Sequence, residues 1–340
     1  MRFLCVSVIF FIHCVAFSVS IITLPLIMNK YFLLGINICI GNSPICNMVK
    51  ITFHESGLTI YNRFHYAFNQ SATAEFIEER DTSFILADEV TLLQNSNIGN
   101  RIHFKNFKFK YSENSFGVDA GHLGLNYKEN DANILQKLFS SINEKKVLYF
   151  DIKKKLLVIG EYPPQYYELM RFKRNVKTVE MLENKTGEIG YRYRIDSVYF
   201  KGKKEKTFYF PVDSIANISP SNNNIYVSLE LMTSIVDYYF PSEFFSEEKC
   251  QNIVDIDSNV IECKINSIDI SKMNTITFIF NKISIRLHPS DLFLQFNKKL
   301  YFVVAYYKNA VPFSFGYPLL SRYHIVNDIA NRKIIFTPNN

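Results

Sequence analysis

The chain has 340 residues, 48% hydrophobic and 21% charged, with a net charge of +6, 31 Phe, 21 Tyr and no Trp. That balance excludes intrinsic disorder as the main state and is enough for one large or two medium cores. Basic residues fall in short scattered clusters (105–110, 153–155, 201–206) with no finger, RNP or helix-turn-helix pattern, so nucleic acid is not an expected partner.

After Met1-Arg2 the run FLCVSVIFFIHCVAFSV (3–19) reads as a secretory leader, with small residues for cleavage at Ala16–Ser18 or Ser18–Ser20. Residues 1–20 are therefore expected to be a signal peptide. The apolar run continues through Ile27, so an uncleaved anchor is the competing reading and the only route to a membrane. Cys5 and Cys14 leave with the leader. Cys39, Cys46, Cys250 and Cys263 remain, an even number suited to an oxidising compartment. Of the three possible pairings the sequence-local one, Cys39 with Cys46 and Cys250 with Cys263, is simplest. No CxxC spacing suggests zinc. Sequons stand at Asn69, Asn184 and Asn217, the last followed closely by Pro220.

From residue 31 onward, short apolar or alternating runs are broken by turn residues. Strands are expected at 31–41, 48–53, 84–93, 101–111, 147–152, 156–160 and 191–202. KTFYFPV, NTITFIF, ISIRL, LYFVVAYY and RKIIF extend the series. Two helices are expected. One spans 131–142, with Asp131 as N-cap and Ile134, Leu135, Leu138 and Phe139 on one face; the other spans 228–239, capped by Ser228. Their spacing hints at an internal duplication. The Pro-rich and charged stretch 161–190 is the best place to divide the chain, giving lobes at 21–165 and 166–340. Many short strands with few helices imply an all-β architecture.

Several segments in order resemble the pepsin-like aspartic protease family. VPFSFGYPLLSRYHIVNDIANRKIIF (311–336) is similar to the family's last segment, through Gly316, Leu320, Tyr323, Asp328, Asn331, Lys333, Ile334 and Phe336. Cys250 and Cys263, followed by 275–295, resemble its C-lobe cysteine pair and the strands after it. DAGHLGLNY (119–127) resembles its Asp-Gly-Ile-Leu-Gly-Leu strand, with Ala120 in place of Asp. YFLLGINICIGNSP (31–44) resembles the opening strand and YRYRIDSVYFKG (191–202) the first strand of the C-lobe. The resemblance implies an all-β, bilobal pepsin-like fold with a few short helices and a cleft between the lobes.

The family's chemistry needs two carboxylates sharing one proton, each in an Asp-Thr/Ser-Gly motif. The sequence contains neither Asp-Thr-Gly nor Asp-Ser-Gly. In ITFHESGLTIY (51–61) the N-lobe position falls on His54 or on Glu55, and Glu55-Ser56-Gly57 preserves more of the motif. In the C-lobe it falls on Ser219. Asp213-Ser214 is a poor substitute, being six residues too far from the following helix and lacking the glycine. The flap position, 76–83, lacks the family's Tyr-Gly. The expectation is therefore a secreted, monomeric, catalytically inactive homologue without cofactor or metal, binding a peptide or protein in the cleft. The alternatives are an endopeptidase with an altered dyad and a structural or host-interaction glycoprotein. An acidic cleft would favour the former, and a cleft filled by aromatics the latter.

Overall fold

The computed structural model describes residues 21–28, 34–41, 46–53, 56–61, 64, 66, 71–80, 83–93, 101–113, 120–128, 133–142, 145–172, 176–182, 191–201, 207–220, 222–254, 258–308, 310 and 313–339. Residues 1–20, His54, Glu55, Asn69, Asp131 and Asn184 thus lie outside the described residues.

The described strands form three sheets. The first is built entirely from residues 27–125 and holds the strands Leu34–Ile40, Cys46–Thr52, Ser56–Tyr61, Ser83–Leu93, Arg101–Ser112 and Gly121–Leu125. The second runs from Arg192 to Phe315. These strands form because apolar residues alternate with polar ones and bury one face. In Arg101–Ser112, Phe107, Phe109 and Tyr111 are buried while Lys108 and Lys110 are exposed.

The third sheet joins distant parts of the chain. Val147–Asp151 pairs with Tyr323–Asp328, and Ile22–Pro25 pairs with Leu156–Ile159. The division at 165/166 therefore separates the two large sheets but not this one, because the last two strands return to the N-terminal half. Ile22–Pro25, within the apolar stretch that ends at Ile27, is a strand whose Ile22 and Leu24 are buried in the core. Among the described residues, no helix is long and apolar enough to cross a membrane.

Both expected helices form. Ile134–Ser141 is capped by Asn133, not Asp131: the Asn133 side chain accepts from the Gln136 N–H. It buries Ile134, Leu135, Leu138 and Phe139. Leu229–Tyr238 is capped by Ser228, whose Oγ accepts from Leu231 N–H. They do not mark a duplication, however. The first follows the strand Gly121–Leu125, whose counterpart Ser314–Phe315 is followed by a different helix, Tyr317–Arg322. A further helix, Pro164–Arg171, occupies the stretch expected as a connector, with proline at its start where the missing N–H is harmless.

Cys39 bonds Cys46 and Cys250 bonds Cys263. Each pair sits directly opposite in an antiparallel ladder, so the hairpin register brings the sulfurs together.

Candidate functional site

Two three-strand motifs of the same shape carry the duplication. In the N-terminal lobe, Gly121–Leu125 threads between Cys46–Thr52, to which it is parallel, and Ser56–Tyr61, to which it is antiparallel. In the C-terminal lobe, Ser314–Phe315 threads in the same way between Thr207–Ile218 and Ile225–Tyr226. Each threading strand needs a residue without a side chain where it is squeezed. A Cβ on Gly121 would lie 2.4 Å from the Thr59 carbonyl oxygen, and one on Gly316 would lie 2.2 Å from that of Asn222.

The ladder register then equates positions across the lobes. Thr52 and Gly57 both pair with Gly124. Ile218 and Ile225 both pair with Phe315, so the next positions, Ser219 and Asn224, flank Gly316. The connecting loops have equal length, 52 to 57 and 219 to 224. Ser219 continues the ladder by donating its N–H to Phe315 O at 2.9 Å. The residue equivalent to Ser219 is therefore Thr52. By this register Thr52 is the described residue that stands where Ser219 does, while His54 and Glu55 lie outside the described residues.

Thr52 and Ser219 are both buried, at 9% and 1% exposure. Between their strands stands Tyr191. Its carbonyl accepts from Ile218 N–H at 3.0 Å, and its ring stacks on Phe53, the residue after Thr52. Phe150 meets Phe53 edge-on at 5.5 Å. The middle of the molecule is thus aromatic. The Tyr191 and Tyr193 hydroxyls are buried without hydrogen-bond partners among the described residues, and burial raises both phenol pKa values well above their ordinary range.

The buried carboxylates are committed elsewhere. Asp88 accepts from Tyr66, Thr73 and the Glu89 N–H. Asp328 accepts from Tyr162 and Asn331. Asp151 accepts from the Lys154 N–H and pairs with its ammonium. Asp213 is exposed, has a left-handed backbone (φ 41°) and pairs with Arg194 at 2.6 Å. It is held on the outer hairpin by that cation, not aimed at Ser219. Asn217 is buried beside Ser219 with its side-chain oxygen unpartnered, a location that disfavours a glycan in the folded chain.

At the position expected for a flap, Glu75–Arg80 pairs antiparallel with Ser83–Leu93, with a register shift between Phe76 and Glu78. Phe76 and Ile77 are exposed near its end. Beside it, Ser56–Thr59, Ile85 and Lys108–Lys110 line a cavity of about 200 Å³. Sequence reading missed this cavity, because its walls come from three strands far apart in the chain.

No protein-family model and no curated protein matches the chain. Among solved structures, basic 7S globulin from soybean is similar, with a TM-score of 0.67 and 12% identity, over 93% of this chain and 96% of that one. At that identity the likeness shows the fold, which is all-β, bilobal and pepsin-like.

Proposed function

We propose that this chain is a secreted, non-catalytic protein of pepsin-like fold that binds a peptide or protein along its N-terminal lobe, where the cavity opens beside the flap. The observation that carries this reading is the pairing of Thr52 with Ser219 by register. Hydroxyl groups at those two places cannot share a titrating proton, so they can neither activate a water as a carboxylate does nor donate as a carboxylic acid does. The strand edges and flap that could hold an extended segment persist without that dyad. The two disulfides fit a secretory compartment.

One observation favours a second reading, a structural or host-interaction glycoprotein that retains only the fold. The stack of Phe53 on Tyr191 fills the centre with packed rings. Retention of peptides from a mixed-sequence pool on the immobilised protein separates the two readings, since only the first requires it.

The catalytic alternative is tested by peptide hydrolysis with the purified mature protein from acidic to neutral pH. The assay is run with and without a transition-state inhibitor of aspartic proteases, beside Glu55→Gln and Asp213→Asn variants. No cleavage above background is expected from folded protein. Inhibitor-sensitive cleavage that disappears in either variant would overturn the proposal.

A further inference from the structure

We infer that the exposed apolar side chains of the helix Pro164–Arg171 form a surface that rests on a lipid bilayer. This goes beyond the peptide-binding reading above and does not depend on it.

Pro164–Arg171 buries none of its own residues. Tyr167 and Met170 stand three positions apart, hence on one face of the helix, and are 43% and 55% exposed. Phe172, just after the helix, is 64% exposed. Three large apolar side chains thus face water within a single short stretch. Elsewhere along the described chain such side chains come singly or as adjacent pairs. A concentration of this kind on an otherwise polar surface marks a contact site.

The end of the described chain says what the contact is. Residues 3–19 contain no Asp, Glu, Lys or Arg, and this apolar run reaches the described structure at Ile21. Ile21 packs on the small cluster that contains Tyr162, and Tyr166 packs on the same cluster. The rings of Tyr162, Tyr166 and Tyr167 lie against one another. A leader taken up by a bilayer therefore holds the chain beside this helix and brings its exposed face to the membrane surface. The helix is about 12 Å long, far short of a hydrocarbon core of roughly 30 Å, so it lies along the surface.

The side chains suit that place. Tyrosine carries an apolar ring and a polar tip, and Met170 and Phe172 supply apolar contact. The Lys145 ammonium stands 5.5 Å from the Tyr162 ring and 6.0 Å from the Tyr167 ring, and the Arg171 guanidinium 5.8 Å from that of Phe172. Both cations lie at the ends of apolar stems that reach from hydrocarbon to water. Charge does not select the partner, because Glu161 and Glu168 balance Lys145 and Arg171 in this region; Lys173 and Arg174 lie outside the described residues. The contact is apolar, and the surface it fits is that of a neutral phosphatidylcholine membrane.

The test uses the mature protein, residues 21–340, and phosphatidylcholine vesicles, read by flotation. The parent is expected to float with the vesicles at low and at moderate salt. Tyr167→Ser/Met170→Ser/Phe172→Ser should float at least about tenfold less, with the parent's thermal midpoint because all three residues are exposed. Phe76→Ser/Tyr209→Ser/Val254→Ser removes three comparably exposed apolar side chains elsewhere and should float as the parent does. The chain has no Trp, so Met170→Trp adds a single reporter that works even where the triple variant does not fold. Its emission should shift to the blue with vesicles and be quenched by brominated acyl chains, while that of Val254→Trp should not change. A parent that does not float, or an equal loss in both triple variants, would overturn the inference. So would unchanged emission of the Met170→Trp protein on floating vesicles, or binding that requires anionic lipid and disappears in moderate salt. A dimer that forms without vesicles and is lost in the Tyr167/Met170/Phe172 variant would make this face a contact between copies and overturn it as well. Peptide retention from the mixed pool reports separately on the wider reading.

Discussion

Thr52 and Ser219 occupy equivalent places in the two lobes. Each ends the strand that runs parallel to a threading strand, and each is separated by an equal loop from the residue across that strand, Gly57 or Asn224. The pepsin-like fold thus keeps its internal two-fold repeat while presenting a hydroxyl residue from each half.

The equivalence predicts coupling in a carboxylate implant. Thr52→Asp and Ser219→Asp should each destabilise the chain through burial. Together they should destabilise it at pH 7 by more than the sum of the single effects, because adjacent carboxylates repel. The folded pair then retains a proton that the unfolded chain releases near pH 4, so the excess grows as pH rises and vanishes near pH 3.5. Denaturant midpoints of the four proteins at both pH values measure this. Simple additivity at pH 7 would mean that the two positions are not neighbours.

Phe53 and Tyr191 should contribute in opposite senses. Phe53→Ala removes a buried ring that packs on both Tyr191 and Phe150, and should cost about 3–5 kcal/mol. Tyr191→Phe keeps the ring and deletes a buried hydroxyl that has no partner, so it should be neutral or stabilise by up to about 1 kcal/mol. Equilibrium unfolding checks both. Marked destabilisation by Tyr191→Phe would reveal a partner for that hydroxyl.

His324 makes stability fall in acid. The ring is buried against Tyr149, with Asn339 as the polar side chain beside it. Burial holds its pKa below the ordinary imidazole value, with Asp151 and the Asn339 side chain opposing the shift. The unfolded chain takes up a proton near pH 6.5 that the folded chain resists. Stability is therefore complete above about pH 6.5 and declines as pH falls through that value toward the lower folded pKa. Comparing unfolding midpoints at pH 7.5 and 5 should show a smaller difference for His324→Leu than for the parent. An equal difference would place the acid sensitivity elsewhere.

Tyr162 holds the connecting segment to the third sheet. Its hydroxyl donates to the buried Asp328 carboxylate at 2.6 Å, a bond that, together with burial, raises the phenol pKa well above normal. Tyr162→Phe should cost about 1.5–3 kcal/mol, the range for a hydrogen bond to a charged group, since Asp328 keeps its contacts with Asn331. A loss below about 0.5 kcal/mol in urea titration would mean that water replaces the phenol there.

Much of this was legible in the sequence. Alternation located most strands, since period two is a local property and one face of each sheet is buried. Ser228 announced its helix through a capping hydroxyl that acts over three residues. The strand Ile22–Pro25 was not legible, because a buried strand and the end of a leader are both continuous apolar runs. Pro164–Arg171 was missed because it buries none of its own residues and so carries no apolar stripe.

The sequence by itself determined the all-β character, the cysteine pairs as the simplest pairing, and the absence of any Asp-Thr-Gly or Asp-Ser-Gly. Only the tertiary structure decided which described residue of the N-terminal lobe is equivalent to Ser219. His54 and Thr52 differ by two positions, and a slip of two leaves the same faces of a strand buried and exposed. Alternation cannot distinguish such registers. The choice lies with hydrogen bonds to Gly124 on a strand that comes much later in the chain, and these exist only once the sheet has formed.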